Sequence, residues 1–104
     1  MITCAELKEE MLPNRLAVHD PKIDGFDRAR ERADREAHES LAEPMLLGWY
    51  DRQTGAFSPR VECCSEEKPG WVVYAESRGG SLTIDVNDGA YYFIYRDAST
   101  TPVV

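Results

Sequence analysis

The chain has 104 residues, of which 42% are hydrophobic and 30% are charged, and its formal net charge is −7. This length supports one hydrophobic core, so we expect a single domain over residues 1–104. The acidic balance argues against nucleic acid as a partner, because that binding depends on Lys and Arg that neutralise phosphates. It also disfavours an anionic membrane surface, and no segment approaches the run of about 18 apolar residues that a membrane-spanning helix needs.

The first 23 residues predict an extension that contains a short helix. Thr3 and Glu6 have the spacing of a capping box, and Pro13 would end the helix. The N-terminus has neither a basic region nor a long apolar stretch, so we expect no secretory signal. The three cysteines are an odd number, which is not typical of a disulfide framework, and these features together indicate the cytoplasm. Residues 15–19 alternate as a short edge strand would.

A long helix is predicted between Asp24, its expected N-cap, and Pro44, its far limit. One stripe of mostly small side chains would let the helix lie close to a sheet: Phe26, Ala29, Ala33, Ala37, Ser40 and Leu41. Arg30 points into this stripe, so we expect it to reach the edge or to meet Asp34. The opposite face carries three pairs at i,i+4: Glu31–Arg35, Arg32–Glu36 and Arg35–Glu39.

The rest of the chain predicts antiparallel strands, in a hairpin over residues 45–51 and 56–58 and a meander over residues 71–77, 81–85 and 90–96. Arg78-Gly79-Gly80 and Asn87-Asp88-Gly89 would be the turns of the meander. Residues 97–104 are expected to form a frayed tail. The predicted fold is a two-layer α+β domain, with an antiparallel sheet of four to six strands, the long helix on one face and a short N-terminal helix.

Such a sheet has more aromatic surface than one helix covers. Five strands spaced by about 4.8 Å make a sheet about 20–24 Å wide, whereas a helix is about 10 Å wide. An uncovered apolar face of this size usually marks an interface, so we expect a homodimer packed through the sheet face or an edge strand. Five residues are the interface candidates: Trp49, Trp71, Tyr74, Tyr92 and Tyr95. The alternative is a strongly curled sheet whose tyrosine hydroxyls stay in water.

Cys63 and Cys64 are the candidates for thiol or metal chemistry, because thiolates are nucleophiles and bind soft metals. Neighbouring side chains of an extended segment point to opposite faces, so one ion would not easily bind both sulfurs. A zinc site would need further ligands that only the fold could bring together. The structural alternative places one cysteine in the core and leaves the other half-exposed. No cofactor is predicted.

Arg78, Gly79 and Gly80, together with Arg60, are the candidates for an anion or substrate contact. A strand is predicted to follow this segment, so the helix N-terminus of a phosphate loop would be missing. A hairpin turn with glycine at positive φ is the simpler interpretation. His19 and His38 do not belong to a catalytic pattern, and no catalytic residue is predicted.

Five segments form a pattern within roughly residues 24–96: LLGWYD at 46–51, FSP at 57–59, ECC at 62–64, WVVYAESRGG at 71–80 and YFIY at 92–95. This pattern resembles a small uncharacterised family of bacterial and archaeal proteins, a domain of unknown function. The resemblance implies a compact α+β domain of prokaryotic, cytoplasmic type, and it implies no activity, substrate or catalytic residue.

Two classes of function follow. The first is a non-enzymatic binding or assembly module, a homodimer whose aromatic sheet face contacts itself, a protein or a small ligand. The alternative is a thiol-dependent redox or metal-linked protein centred on Cys63 and Cys64, with Arg78 as an anion contact.

Overall fold

The structure of the protein is a computed structural model, and it describes residues 11–60 and 69–99. Seven elements follow one another in these residues: β1 (Arg15–Val18), α1 (Phe26–Ser40), β2 (Pro44–Asp51), β3 (Phe57–Ser58), α2 (Gly70–Ser77), β4 (Leu82–Val86) and β5 (Tyr91–Asp97). The strands form one mixed sheet in the order β1-β4-β5-β2-β3. The two helices cover opposite faces of this sheet. The α+β class is confirmed, whereas the two-layer arrangement is wrong.

α1 forms where its stripe of small side chains predicts it. The small side chains of Ala29, Ala33 and Ala37 let the helix axis approach β4 and β5 closely. All three residues are therefore 0% exposed. The N-cap position is Gly25 rather than Asp24, and no side chain caps the helix there. Arg30 stays half exposed with its Nε 4.0 Å from the carboxylate of Asp34, as predicted.

The centre of the sheet follows the sequence pattern. β4 and β5 form an antiparallel hairpin, and β2 pairs antiparallel with both β5 and β3. The turn between β4 and β5 has three successive residues at positive φ: Asn87 (54°), Asp88 (54°) and Gly89 (83°). The Gly89 amide donates to the buried carboxylate of Asp85 at 2.6 Å, which fixes the turn.

The prediction of a strand over residues 71–77 is wrong, because these residues form α2. Their apolar run has no clear period, so the pattern fits a short buried helix as well as a strand. Pro69 stands at the N-cap and Gly79 follows the last turn, an arrangement that favours a helix. Trp71, Val72 and Ala75 pack onto the sheet.

α2 overturns the expectation that one face of the sheet has no cover from this chain. A second core forms beneath it from six buried residues: Leu12, Trp71, Val72, Ala75, Tyr92 and Ile94. The first core lies under α1 and includes Val18, Ile84, Phe93 and Tyr95. Both faces of the sheet are therefore packed against helices of the same chain.

β1 is an edge strand, as predicted, but it pairs with β4 in parallel, so the sheet is not wholly antiparallel. The Arg15 guanidinium donates to the Asp85 carboxylate at 2.6 Å, which ties the start of β1 to β4. Such pairing joins residues far apart in the sequence, which explains why a local pattern does not reveal it.

The predicted N-terminal helix and most of the predicted tail lie outside the described residues. β5 extends through Asp97, whose carboxylate accepts hydrogen bonds from the amides of Ala42 and Glu43. Neither described helix has the length and hydropathy that crossing a membrane requires.

Candidate functional site

The five aromatic interface candidates do not share one surface. Trp49 and Tyr95 pack in the core under α1, whereas Trp71 and Tyr92 pack in the core under α2. Trp71 is 3% exposed, and Tyr92 and Tyr95 are each 1% exposed. Tyr74 is partly exposed on α2. Three of the five side chains are thus enclosed by the chain itself, because α1 and α2 occupy the faces on which an interface was expected.

Tyr95 joins the sheet to α1. Its hydroxyl donates to the Asp34 carboxylate at 2.5 Å, and the other oxygen of that carboxylate lies 4.0 Å from Arg30. Burial of the phenol, followed by this hydrogen bond, raises the pKa of Tyr95 far above its usual value. Tyr95 therefore stays protonated at neutral pH and has a structural role.

Arg78, Gly79 and Gly80 form the C-terminal cap of α2. The Gly79 amide donates to the Glu76 carbonyl and the Gly80 amide to the Ala75 carbonyl, which is the bonding pattern of a Schellman motif with Gly79 at φ 89°. These amides are consequently occupied and do not face a ligand. The Arg78 guanidinium lies 5.0 Å from the centre of the Tyr74 ring.

Arg60, the fourth candidate for the anion contact, is exposed after the end of β3. Cys63 and Cys64 lie outside the described residues. Within residues 11–60 and 69–99, no group of three or more His, Cys, Asp or Glu side chains could hold a metal ion.

The two buried carboxylates of the described residues are used by the fold. Asp85 binds Arg15 and the Gly89 amide, as described above. Asp51 accepts hydrogen bonds from the amides of Gln53 and Thr54 and so shapes the turn between β2 and β3. Both carboxylates satisfy local backbone or ion-pair needs, which is a structural role.

The two edges of the sheet differ in their exposure and length. β3 has only two residues and is followed by Pro59, features that protect an edge against further pairing. β1 has four residues, of which Arg15, Leu16 and Ala17 are exposed, and Leu16 is 37% exposed. We call β1 the open edge. The sequence identified this edge strand, but it did not show that the sheet faces would be closed.

A second surface feature, which we call the α1 cleft, lies between the turn after β1 and the outer face of α1. Four cationic side chains, Lys22, Arg28, Arg32 and Arg35, line it together with Asp20 and Glu31. Arg32 and Arg35 were expected only as members of i,i+4 pairs with Glu, and no role was predicted for Arg28. Their spacing at 28, 32 and 35, which places cations on one helical face, is the signal that could have revealed the cleft.

The described residues thus define a small α+β domain with two covered sheet faces and an open edge. The chain belongs to the family described as a domain of unknown function (DUF5619), whose model matches residues 13–95. This match confirms the resemblance seen in the sequence. It begins at residue 13 rather than near residue 24, so it also includes β1.

A sequence match and a structural match, both to Archaeoglobus fulgidus, support the family and the fold. The chain is 41% identical over 63 residues to an uncharacterised protein of this archaeon, and the match covers 61% of this chain and 67% of the relative. The crystal structure of a novel protein from the same organism is similar, with a TM-score of 0.69 and 31% identity. That likeness covers 83% of this chain and 95% of the other.

Proposed function

We propose that this protein is a small cytoplasmic, non-enzymatic binding module that assembles as a homodimer through β1. The observation that carries the proposal is the contrast between an exposed edge strand and two closed sheet faces. An exposed edge presents backbone donors and acceptors that a second chain can pair with.

The hydrogen bonds between β1 and β4 show which backbone groups of β1 face away from the sheet. The carbonyls of Asn14 and Val18 accept from the amides of Thr83 and Asn87, so alternate backbone groups of the strand face β4. The backbone of Ala17 accordingly faces away from β4. An antiparallel pairing of β1 with β1 of a second copy, related by a two-fold axis, would join both sheets into one.

Charge and side-chain contacts are compatible with this pairing. The Arg15 guanidinium is held by Asp85 at 2.6 Å, so the edge carries little uncompensated charge. Leu16 would lose its exposure on association. The pairing strand is short and each hydrogen bond contributes only about 0.5–1.5 kcal/mol, so we expect a weak dimer that forms at high protein concentration.

Sedimentation velocity over a wide concentration range tests the proposal. The native chain should approach twice the monomer mass at high micromolar concentration, and Leu16→Lys should weaken association at least tenfold because it brings two ammonium groups together. Val73→Lys is the matched control, since Val73 is similarly exposed at 41% but lies on α2. A chain that stays monomeric throughout, or equal weakening by both variants, would contradict assembly through β1.

A further inference from the structure

The α1 cleft is an open cavity of about 160 Å³. Its cationic side chains come from two parts of the chain: Lys22 lies in the turn after β1, whereas Arg28, Arg32 and Arg35 lie on α1. With Asp20 and Glu31 as the only acidic residues of its lining, the cleft has an excess of two positive charges. The whole chain has a net charge of −7, so the sign of the charge is reversed locally.

Three of these cations are not neutralised by neighbouring side chains. Arg32 forms ion pairs with Asp20 at 3.3 Å and with Glu36 at 2.9 Å. Among the described residues, no carboxylate lies within 4.0 Å of the charged nitrogens of Lys22, Arg28 or Arg35. These three groups are therefore available to a ligand that enters the cleft.

Hydrogen bonds and ion pairs fix the positions of the two walls of the cleft, which are the turn after β1 and α1. The side-chain oxygen of Asn87 accepts from the Asp20 amide at 2.7 Å, and the Asn87 side-chain amide donates to the Asp20 carbonyl at 3.0 Å. This pair fixes the turn after β1 to the turn between β4 and β5. Because Arg32 then bridges Asp20 and Glu36, the turn and the helix keep a fixed separation, which reduces the ordering cost of binding.

The arrangement of cations is unfavourable without an anion. Arg28 lies in the first turn of α1, where the positive end of the helix dipole repels it. Arg28 and Arg32 are like charges at i,i+4, a spacing that destabilises a helix by a few tenths of a kcal/mol. An anion bound between the turn and α1 would offset both effects.

We infer that the α1 cleft binds a phosphate group, either as the free ion or as part of a small phosphorylated compound. A phosphate anion complements the positive excess of the lining, and guanidinium groups bind phosphate oxygens through paired N–H donors. A cavity of about 150 Å³ holds a ligand the size of benzene, about six heavy atoms, so the volume suits a phosphate group with a short substituent. A long polyanion would meet the acidic remainder of the surface, which favours a small ligand.

Titration of the ¹⁵N-labelled chain with inorganic phosphate, followed by ¹H–¹⁵N correlation spectra at constant ionic strength, tests the inference. We expect saturable shifts that are concentrated in residues 20–35. Arg28→Gln and Arg35→Gln should each weaken binding by about tenfold, because each removes a charged donor from the ligand. Both arginines are exposed, so these variants should fold as the native chain does.

Arg60→Gln is the matched control, because it removes an exposed arginine outside the cleft. Unchanged binding by this variant supports the site. Shifts that do not saturate below about 10 mM phosphate, or equal weakening by all three variants, would overturn the inference. Either result would show that phosphate acts by non-specific ionic screening of the surface charges. Methyl phosphate identifies the source: tighter binding than inorganic phosphate indicates a phosphorylated compound, and weaker binding indicates the free ion. The inference is independent of assembly through β1.

Discussion

Changing Val72 and Val73 to alanine, one at a time, tests the helical conformation of α2. Val72 is 0% exposed, whereas its neighbour Val73 is 41% exposed. A helix produces this contrast because it buries Trp71, Val72 and Ala75 on one face. A strand would instead place Val73 on the same face as Trp71 and Ala75, because side chains alternate along a strand. The same substitution at adjacent positions therefore distinguishes the two conformations.

The expected magnitudes follow from burial. Val72→Ala removes two methyl groups from a packed core, which costs about 1.6 kcal/mol in transfer free energy and roughly 1 kcal/mol more for the cavity. The higher helix propensity of alanine returns about 0.5 kcal/mol, so the net loss of unfolding free energy should be about 2 kcal/mol. At Val73 the gain in propensity offsets the small loss of contact, and the change should stay within about 0.5 kcal/mol.

Urea unfolding, followed by tryptophan fluorescence and circular dichroism, measures both values. The dependence of the unfolding free energy on urea should be equal in the two variants, so that their midpoints can be compared directly. A larger loss for Val73→Ala than for Val72→Ala would refute the helix and support the strand that was predicted from the sequence.

Two further substitutions test the β4–β5 turn and the contact between Tyr95 and α1. Gly89→Ala should destabilise the fold by about 1–3 kcal/mol, because φ is 83° and the new Cβ would lie 2.5 Å from the Tyr92 hydroxyl oxygen. Urea unfolding measures this cost, which should be smaller when Tyr92 is replaced by Phe. An equal cost in the two backgrounds would exclude the clash. The pKa of Tyr95 is raised by burial and by the hydrogen bond to Asp34, so above about pH 10 the unfolded chain releases a proton that the folded chain keeps. The unfolding free energy should therefore fall as the pH rises above this value, by up to about 1.4 kcal/mol per pH unit. Tyr95→Phe should remove this contribution to the pH dependence of the unfolding free energy. An unchanged pH dependence in Tyr95→Phe would contradict the assignment to Tyr95.

The sequence predicts those elements whose pattern is local. The alanine stripe of α1 repeats at helical spacing, and β2, β4 and β5 are bounded by turn residues, so each could be placed to within a few positions. α2 differs because its apolar run is only five residues long, from Trp71 to Ala75, and has no period. The parallel pairing of β1 with β4 joins two segments that are far apart in the sequence, so a pattern read over a few neighbouring residues does not reveal it.

The candidate sites were harder to predict than the fold for the same reason. The aromatic candidates were expected on a sheet face that the chain leaves uncovered, but α1 and α2 divide four of the five between two cores. The α1 cleft depends on which side chains pair: Arg32 meets Glu36, while Arg35 stays free of ion pairs among the described residues. Helical spacing allows several such pairings, so it does not determine which cations face a ligand.

The parallel contact between β1 and β4 also has a consequence for biosynthesis. Arg15 and Asp85, which bind each other in the folded domain, are 70 residues apart. At about 5–20 residues per second, a ribosome needs about 4–14 s to translate that interval. During this time the nascent β1 lacks its neighbour and α1 lacks most of the surface on which it packs. Protection by a ribosome-associated chaperone would be needed most in this interval, before the final hairpin emerges.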